Sequence, residues 1–271
     1  MSDIQLACHA SAWGAEEFVS ALTDIGEIGY HGIETGPGVV ENFEDRTSVF
    51  REMLDQQRVA LAGLTAACPV LDEGMHDEVV ERGLNLARFL SAVQGGPLIL
   101  TAPPRAGTRT DAAACKAAAE LLEEVGRGAS EFGVPVCLRP AAGSVCQTTA
   151  ELERFMRLTT AKSVRLCVDS AHLALARMAG ATVLKKYRAR VAHVHISDFR
   201  LKRSRAKNAK PQPVPVAFGR GVGGLARTLK AILTSDYTGW VTVDLFVRPN
   251  ETPADAASTA YEIAQKGLDI F

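Results

Sequence analysis

Short apolar runs alternate with amphipathic stretches along almost the whole chain. The runs at 4–9, 32–35, 58–66, 97–102, 134–139, 164–169, 191–197 and 240–246 have strand length and aliphatic character, and predict strands. Helical spacing of apolar positions marks 15–28, 43–57, 76–93, 111–132, 149–159, 171–187 (broken near Gly180), 223–234 and 253–269. Local signals agree with these boundaries. Asp111 after Thr110 can cap an alanine-rich helix, Gly133 can stop it, and Thr252-Pro253 can start the last one. Eight strand–helix pairs predict a parallel sheet covered by helices. Eight units in 271 residues favour an α/β fold closed into one (β/α)8 TIM barrel spanning residues 1–271. No GxGxxG turn follows the first strand, which speaks against an open dinucleotide-binding sheet.

Many of these runs end on a polar residue. They are His9, Glu34, Arg139, Asp169, His195 and Asp244. The two-residue period of a strand sorts them into faces. In VTVDLF, Thr242, Asp244 and Phe246 oppose Val241, Val243 and Leu245. In VAHVHIS, Val191, His193, His195 and Ser197 oppose Ala192, Val194 and Ile196. In VRLCVD, Arg165, Cys167 and Asp169 oppose Leu166 and Val168. The apolar sets suit the helix-covered outside. That leaves the polar sets inside, converging on the C-terminal mouth where such barrels do chemistry. So many strand-end charges would be costly without partners, which points to a polar site.

Composition then narrows the class. A hydrophobic content of 47% is ample for a core, and the net charge of −1 gives no general attraction to nucleic acid or anionic membrane. No apolar stretch approaches the roughly 20 residues of a membrane span. The segment MSDIQLACHA lacks the pattern of a signal peptide. Six cysteines form no CxxC pair and several fall inside apolar runs, so buried, reduced thiols and a cytoplasmic location are expected.

Individual residues suggest roles. Asp169, with His172 three positions on, can orient a substrate and shuttle a proton, or Asp169 can simply cap a helix. His195 can ligate a metal, while the deeper His193 is expected as a structural partner. Glu34 can act as a general base, accept from a substrate hydroxyl, or pair with Arg139. Trp13, just after His9, can wall a pocket by stacking on a substrate ring or pack for stability. One connection is out of proportion. About 25 residues, roughly 198–222, include Arg200, Lys202, Arg203, Arg205, Lys207, Lys210 and Arg220 with almost no acids, where a βα loop ordinarily has about two to six residues. A solvated loop and a lid over the mouth that binds an anionic group are both open, and Arg200 is its candidate substrate contact. No aromatic platform accompanies these charges, which disfavours nucleic acid.

The motifs GYHGIE at 29–34, VRLCVDSAHL at 164–173, VAHVHISD at 191–198, and FGRGVGGL leading through YTGWVTVD to Asp244 run in order across nearly the whole chain. Together they resemble the xylose-isomerase-like barrel superfamily, the sugar phosphate isomerase/epimerase and inosose dehydratase group. The resemblance implies a divalent cation (manganese, cobalt, magnesium or zinc) held by acids ending strands five, six and eight and a histidine ending strand seven. Asp169 matches strand six, His195 strand seven, and Asp244 strand eight, where glutamate is usual. His172 matches a histidine that contacts substrate hydroxyls. Strand five departs: Arg139 stands where the group has glutamate or histidine, followed by Pro140, Ala141 and Ala142.

This departure carries mechanistic weight. Epimerases of the group use the strand-five and strand-eight glutamates as an acid/base pair, and arginine cannot serve as a base. Three ligands, Asp169, His195 and Asp244, still suffice for an open catalytic site. A weakened or altered metal site is expected, with Arg139 swung outward toward a substrate anion or Glu34. The leading expectation is an isomerase or lyase acting on a small sugar, inosose or related polyhydroxylated carbonyl compound. Glu34 and His172 are the candidate bases, Arg139 or a metal steadies the oxyanion, and His9, Trp13 and Arg200 contact the substrate. A catalytically silent barrel serving as a binding subunit is the alternative. An apurinic-site nuclease of this barrel type would need several metal ions and more ligands than the chain offers. The expected partner is a small molecule, anionic if Arg139 and the basic loop act together; neither nucleic acid nor membrane is expected, and a homo-oligomer is compatible with this reading.

Overall fold

The computed structural model describes residues 4–14, 16–69, 74–107, 111–202 and 211–268. The first half runs β1 (Ile4–His9), a 3-10 turn (Ala10–Trp13), α1 (Phe18–Ile28), β2 (Gly32–Thr35), α2 (Gly38–Phe43), α3 (Thr47–Gln57), β3 (Ala60–Ala67), α4 (His76–Ala92), β4 (Leu98–Thr101) and α5 (Ala112–Ser130). The second runs β5 (Val136–Arg139), α6 (Thr149–Leu158), β6 (Val164–Asp169), α7 (Ser170–Leu175), α8 (Gly180–Lys186), β7 (Val191–Ile196), β8 (Arg200–Lys202), β9 (Gln212–Val214), α9 (Leu225–Leu233), β10 (Gly239–Val243) and α10 (Pro253–Gly267). Eight strands close a parallel barrel in the order β1-β10-β7-β6-β5-β4-β3-β2, and β8 pairs only with β9. The α/β barrel expected from the alternation is therefore the fold.

Helix starts follow the chemistry of their caps. Asp111 Oδ1 accepts from the backbone N–H of Ala113 and Ala114 at 2.9 and 3.1 Å, and Gly133 leaves α5 with a left-handed φ of 72°. Thr148 and Glu151 form a reciprocal capping box on α6, and Thr252 caps α10 with Pro253 at its start. The helix expected over 43–57 starts at Thr47 as α3, and a separate short helix, α2, ends at Phe43. The break lets Phe43 and Phe50 both reach Phe18 in the core, with ring centroids 6.4 and 5.5 Å from it.

Strand alternation holds except at two bulges. Leu166 pairs with Val191 but Cys167 with His193, so Ala192 is the extra residue. In consequence Val191, expected inside, packs with the outer core, while Ala192 joins the interior cluster of Ile99, Cys137 and Cys167. A second bulge opposes Ile33–Glu34 to Leu61–Gly63. All six cysteines are buried and free. Among the described residues no helix is long and apolar enough to cross a membrane.

Close backbone approach fixes where α5 lies. A Cβ on Gly126 would come 2.1 Å from the carbonyl oxygen of Ser163, just before β6. Glycine to alanine in a helix ordinarily gains about 1 kcal/mol. Here the contact reverses the sign, and Gly126→Ala should lose about 1–3 kcal/mol as overpacking does. A rise in the urea midpoint would refute this.

The connection over 198–222 is not structureless, since β8 and β9 form an antiparallel hairpin within it. Arg203, Arg205, Lys207 and Lys210 of the expected basic loop lie outside the described residues. The connection is closed at its root by Asp198. Its Oδ2 accepts from Gly221 N–H at 2.7 Å and its Oδ1 from Gly223 N–H at 3.0 Å. Glycine is required at both points, because a Cβ at 221 or 223 would meet Asp198 or the Ser197 carbonyl within 2.7 Å.

Candidate active site

Every barrel strand delivers a polar side chain within two residues of its C-terminal end: His9, Glu34, Thr65, Thr101, Arg139, Asp169, His195 and Asp244. Thr65 and Thr101 were not among the sequence candidates. Both stand near the ends of predicted runs, and Thr101 is in phase with the interior residue Ile99, so the same alternation could have found it.

Glu34 is the hub, and it is fully buried. Its Oε2 accepts from Nε2 of His193 and Nε2 of His195, each at 2.9 Å, while Thr65 Oγ1 donates to Oε1. His9 Nε2 lies 3.7 Å from the same Oε1. Burial alone would raise the Glu34 pKa, but the two histidines outweigh it and hold the carboxyl well below the usual range. The expected pairing of Glu34 with Arg139 is therefore corrected: its ion pairs run to His9, His193 and His195. Both of its oxygens are engaged within the barrel, and no face of it is open to a substrate.

Arg139 points into the ring rather than outward as expected. Its Nε donates to Thr101 Oγ1 at 2.9 Å, and Nη1 lies 3.6 Å from Asp169 Oδ2 and 3.3 Å from His195 Nδ1. Burial opposes the charge on Arg139, yet Asp169, Cys167, Asp244 and Glu34 together more than offset this and raise its pKa. Asp169 is fully buried; burial would favour its neutral form, but His172, His195 and Arg139 together pull it far below the usual range. His195, also buried, lies 3.4 Å through Nδ1 from Asp169 Oδ2. Glu34 and Asp169 overcome its burial and push its pKa up to about 10. His193, by contrast, is held neutral by burial, with its Nε2 also 2.9 Å from Thr242 Oγ1. The buried acids Glu34 and Asp169 are thus matched by two cations, the partly buried Arg139 and the buried imidazolium of His195.

The remaining candidates divide. His172 is half-buried in the first turn of α7, where its backbone N–H caps onto Asp169 Oδ1 at 2.9 Å. His172 Nδ1 and Asp169 Oδ2 are buried and make no hydrogen bond. Asp244, half-buried, follows β10 directly and is tied by its N–H to Ile196 O at 3.0 Å. His9 borders a cavity of about 350 Å³ with Ser11, Phe18, Thr35, Gly36 and Val39, beside the ring. A larger cavity of about 670 Å³ lies away from the ring, between α9, α10 and residues 219–224, with Asp198, Arg227 and Lys230 in its lining. Trp13 packs in the core, and its indole N–H donates to Asp24 Oδ2 at 2.6 Å, so packing accounts for it. Arg200 is exposed on the β8–β9 hairpin and is not part of the ring.

Fold and ring together define a (β/α)8 barrel with a charged, partly closed mouth. Residues 22–266 match the xylose isomerase-like TIM barrel family, and the chain belongs to it. It is 32% identical over 137 residues to an inosose dehydratase of Bacillus cereus (strain AH820), a match covering 46% of this chain and 45% of that relative. The chain thus matches less than half the length of that relative. Among solved structures, the IOLI protein with a bound zinc atom superposes with a TM-score of 0.78 at 18% identity, covering 98% of both chains. A 3-keto-D-glucoside 4-epimerase of E. coli gives 0.77 at 16% identity, covering 97% of this chain and 99% of that one. At such identities these structures speak to the fold.

The zinc in that neighbour raises the question of a cation here. Asp169, His195 and Asp244 each offer one atom within 4.8 Å of the others, as do Glu34, His193 and His195. The second group is spent on its own hydrogen bonds. In the first, the donors suit a cation but the space does not. A dication bonded to both Asp169 Oδ2 and His195 Nδ1 at about 2.1 Å would lie no more than about 4 Å from Arg139 Nη1. Its repulsion from the guanidinium would be about 8 kcal/mol at an effective dielectric near 20. As these residues stand, they do not fit a divalent ion beside Arg139.

Proposed function

We propose that the protein is an isomerase or dehydratase-like lyase acting on a small polyhydroxylated carbonyl compound, a sugar or an inosose-like ring. Membership of the xylose isomerase-like family and likeness to inosose dehydratases support the substrate class. The observation that carries the reading is His172, whose Nδ1 makes no hydrogen bond, on the turn that directly follows Asp169 and its ion-pair partner Arg139.

In this reading His172 takes the proton from the carbon next to the carbonyl. The C–H pair becomes the enolate double bond, and the carbonyl π pair moves to oxygen, where Arg139 faces the developing charge. Delivery of a proton to the opposite face of the same carbon by a second group of the ring, His172 keeping the one it took, completes an epimerisation; delivery to the former carbonyl carbon, as the adjacent hydroxyl gives its proton to the enolate oxygen, completes an isomerisation. Expulsion of the neighbouring hydroxyl as water, with a proton supplied from the ring, completes a dehydration. Glu34 takes no proton from substrate; it orients His195 and His193 from beneath. A second reading, favoured by the donor atoms that Asp169, His195 and Asp244 bring within 4.8 Å of one another, has these three holding a divalent cation once Arg139 is displaced.

Proton NMR of the protein with a panel of inososes and ketoses in D2O tests the function. Deuterium should enter beside the carbonyl of at least one compound, with formation of an epimer, an isomer or an unsaturated ketone. A folded protein that exchanges and converts none of them would favour the silent binding barrel.

A further inference from the structure

We infer that Arg139 is the resident cation of this barrel. Its guanidinium takes the place a divalent ion would occupy at the Asp169–His195–Asp244 corner and receives the ligand's carbonyl or carboxylate oxygen directly. The role as oxygen acceptor rests on the function proposed above; the exclusion of a metal does not.

Three observations converge. Arg139 is anchored from behind by Thr101, at the end of the neighbouring strand, which holds its Nε and fixes the fork in the ring. Nη1 faces the two atoms a metal would need, Asp169 Oδ2 at 3.6 Å and His195 Nδ1 at 3.3 Å. The other ring nitrogen of His195 is committed to Glu34, so no alternative lone pair is available to a metal from that side chain. A buried acid cluster that would otherwise call for an ion already contains its countercharge. A guanidinium differs from a metal in what it can recognise. It binds through directed N–H donors in a plane, which favours a planar carbonyl, enolate or carboxylate over the chelated hydroxyl pair a metal accepts.

Zinc and manganese titrations of the full chain, purified without chelator and followed by calorimetry and elemental analysis, test this without any substrate. The wild type should retain substoichiometric metal and show no saturable binding at micromolar ion. Arg139→Glu should take up one equivalent at least about a thousandfold more tightly, a difference of about 4 kcal/mol. Arg139→Gln, which removes the charge without adding a ligand, should lie between. One tightly held equivalent in the wild type overturns the proposal, and so does a folded Arg139→Glu that binds none. If the variants do not fold, the wild-type titration still decides. A failed substrate panel beside a metal-free wild type would sink the proposed reaction while leaving the resident cation standing.

Discussion

Replacement of Glu34 by alanine is expected to lower the free energy of unfolding by about 3–5 kcal/mol, the range seen when one partner of a buried ion pair is removed. The carboxylate accepts from two histidines and a threonine where all the side chains concerned are largely buried. Its loss removes the carboxylate bonded to His195 Nε2, leaving that imidazolium beside Arg139 with Asp169 at 3.4 Å, and leaves His193 Nε2 with Thr242. Glu34→Gln should cost less, because the amide can still meet one histidine, and should bring the His195 pKa down from about 10. Urea unfolding gives the first effect and histidine NMR the second. A loss under about 1 kcal/mol with abolished turnover would return Glu34 to the role of base.

His172→Ala should act in the opposite sense, on turnover rather than stability. A positioned general base is worth about 10²–10⁴ in rate, so kcat/KM on the substrate found by the panel should fall by that factor. Stability should change little. The residue is half-buried, its Nδ1 makes no hydrogen bond, and its backbone N–H, which caps onto Asp169, remains in the variant. Unchanged turnover would move the proton transfer to Asp244 or His9. A large stability loss would mean that the side chain is structural.

The contrast between these two residues shows how far the sequence could be read. Both are polar and near strand ends; alternation placed Glu34 at the mouth, and the turn three residues past Asp169 placed His172 there. Alternation gives a face and a height but no distance across the barrel. That Glu34 on β2 meets the histidines of β7 rather than Arg139 depends on barrel closure and stagger. Arg139 likewise declared itself as a misfit, but its inward direction comes from Thr101, a neighbour that no spacing rule connects to it. Val191 went to the wrong face because a bulge leaves no mark in residue type. Trp13 could stack or pack on sequence grounds, and Asp24 decided between the two. Strand and helix order, by contrast, were legible almost throughout, because each pattern had to bury one face and nothing competed with it.

The clasp made by Asp198 has a consequence for how this barrel can change over time. It joins the two ends of the long connection, at Asp198 and at Gly221 and Gly223, immediately beyond β7. Chain inserted or removed between those points alters a loop whose ends are already held together, and lengthening such a loop costs only about 0.6 kcal/mol per doubling. His195, three residues before the clasp, is insulated from that change. The segment between is an interchangeable appendage: evolution, or a protein engineer, can swap its length and charge to court a different ligand while the charged ring keeps its shape.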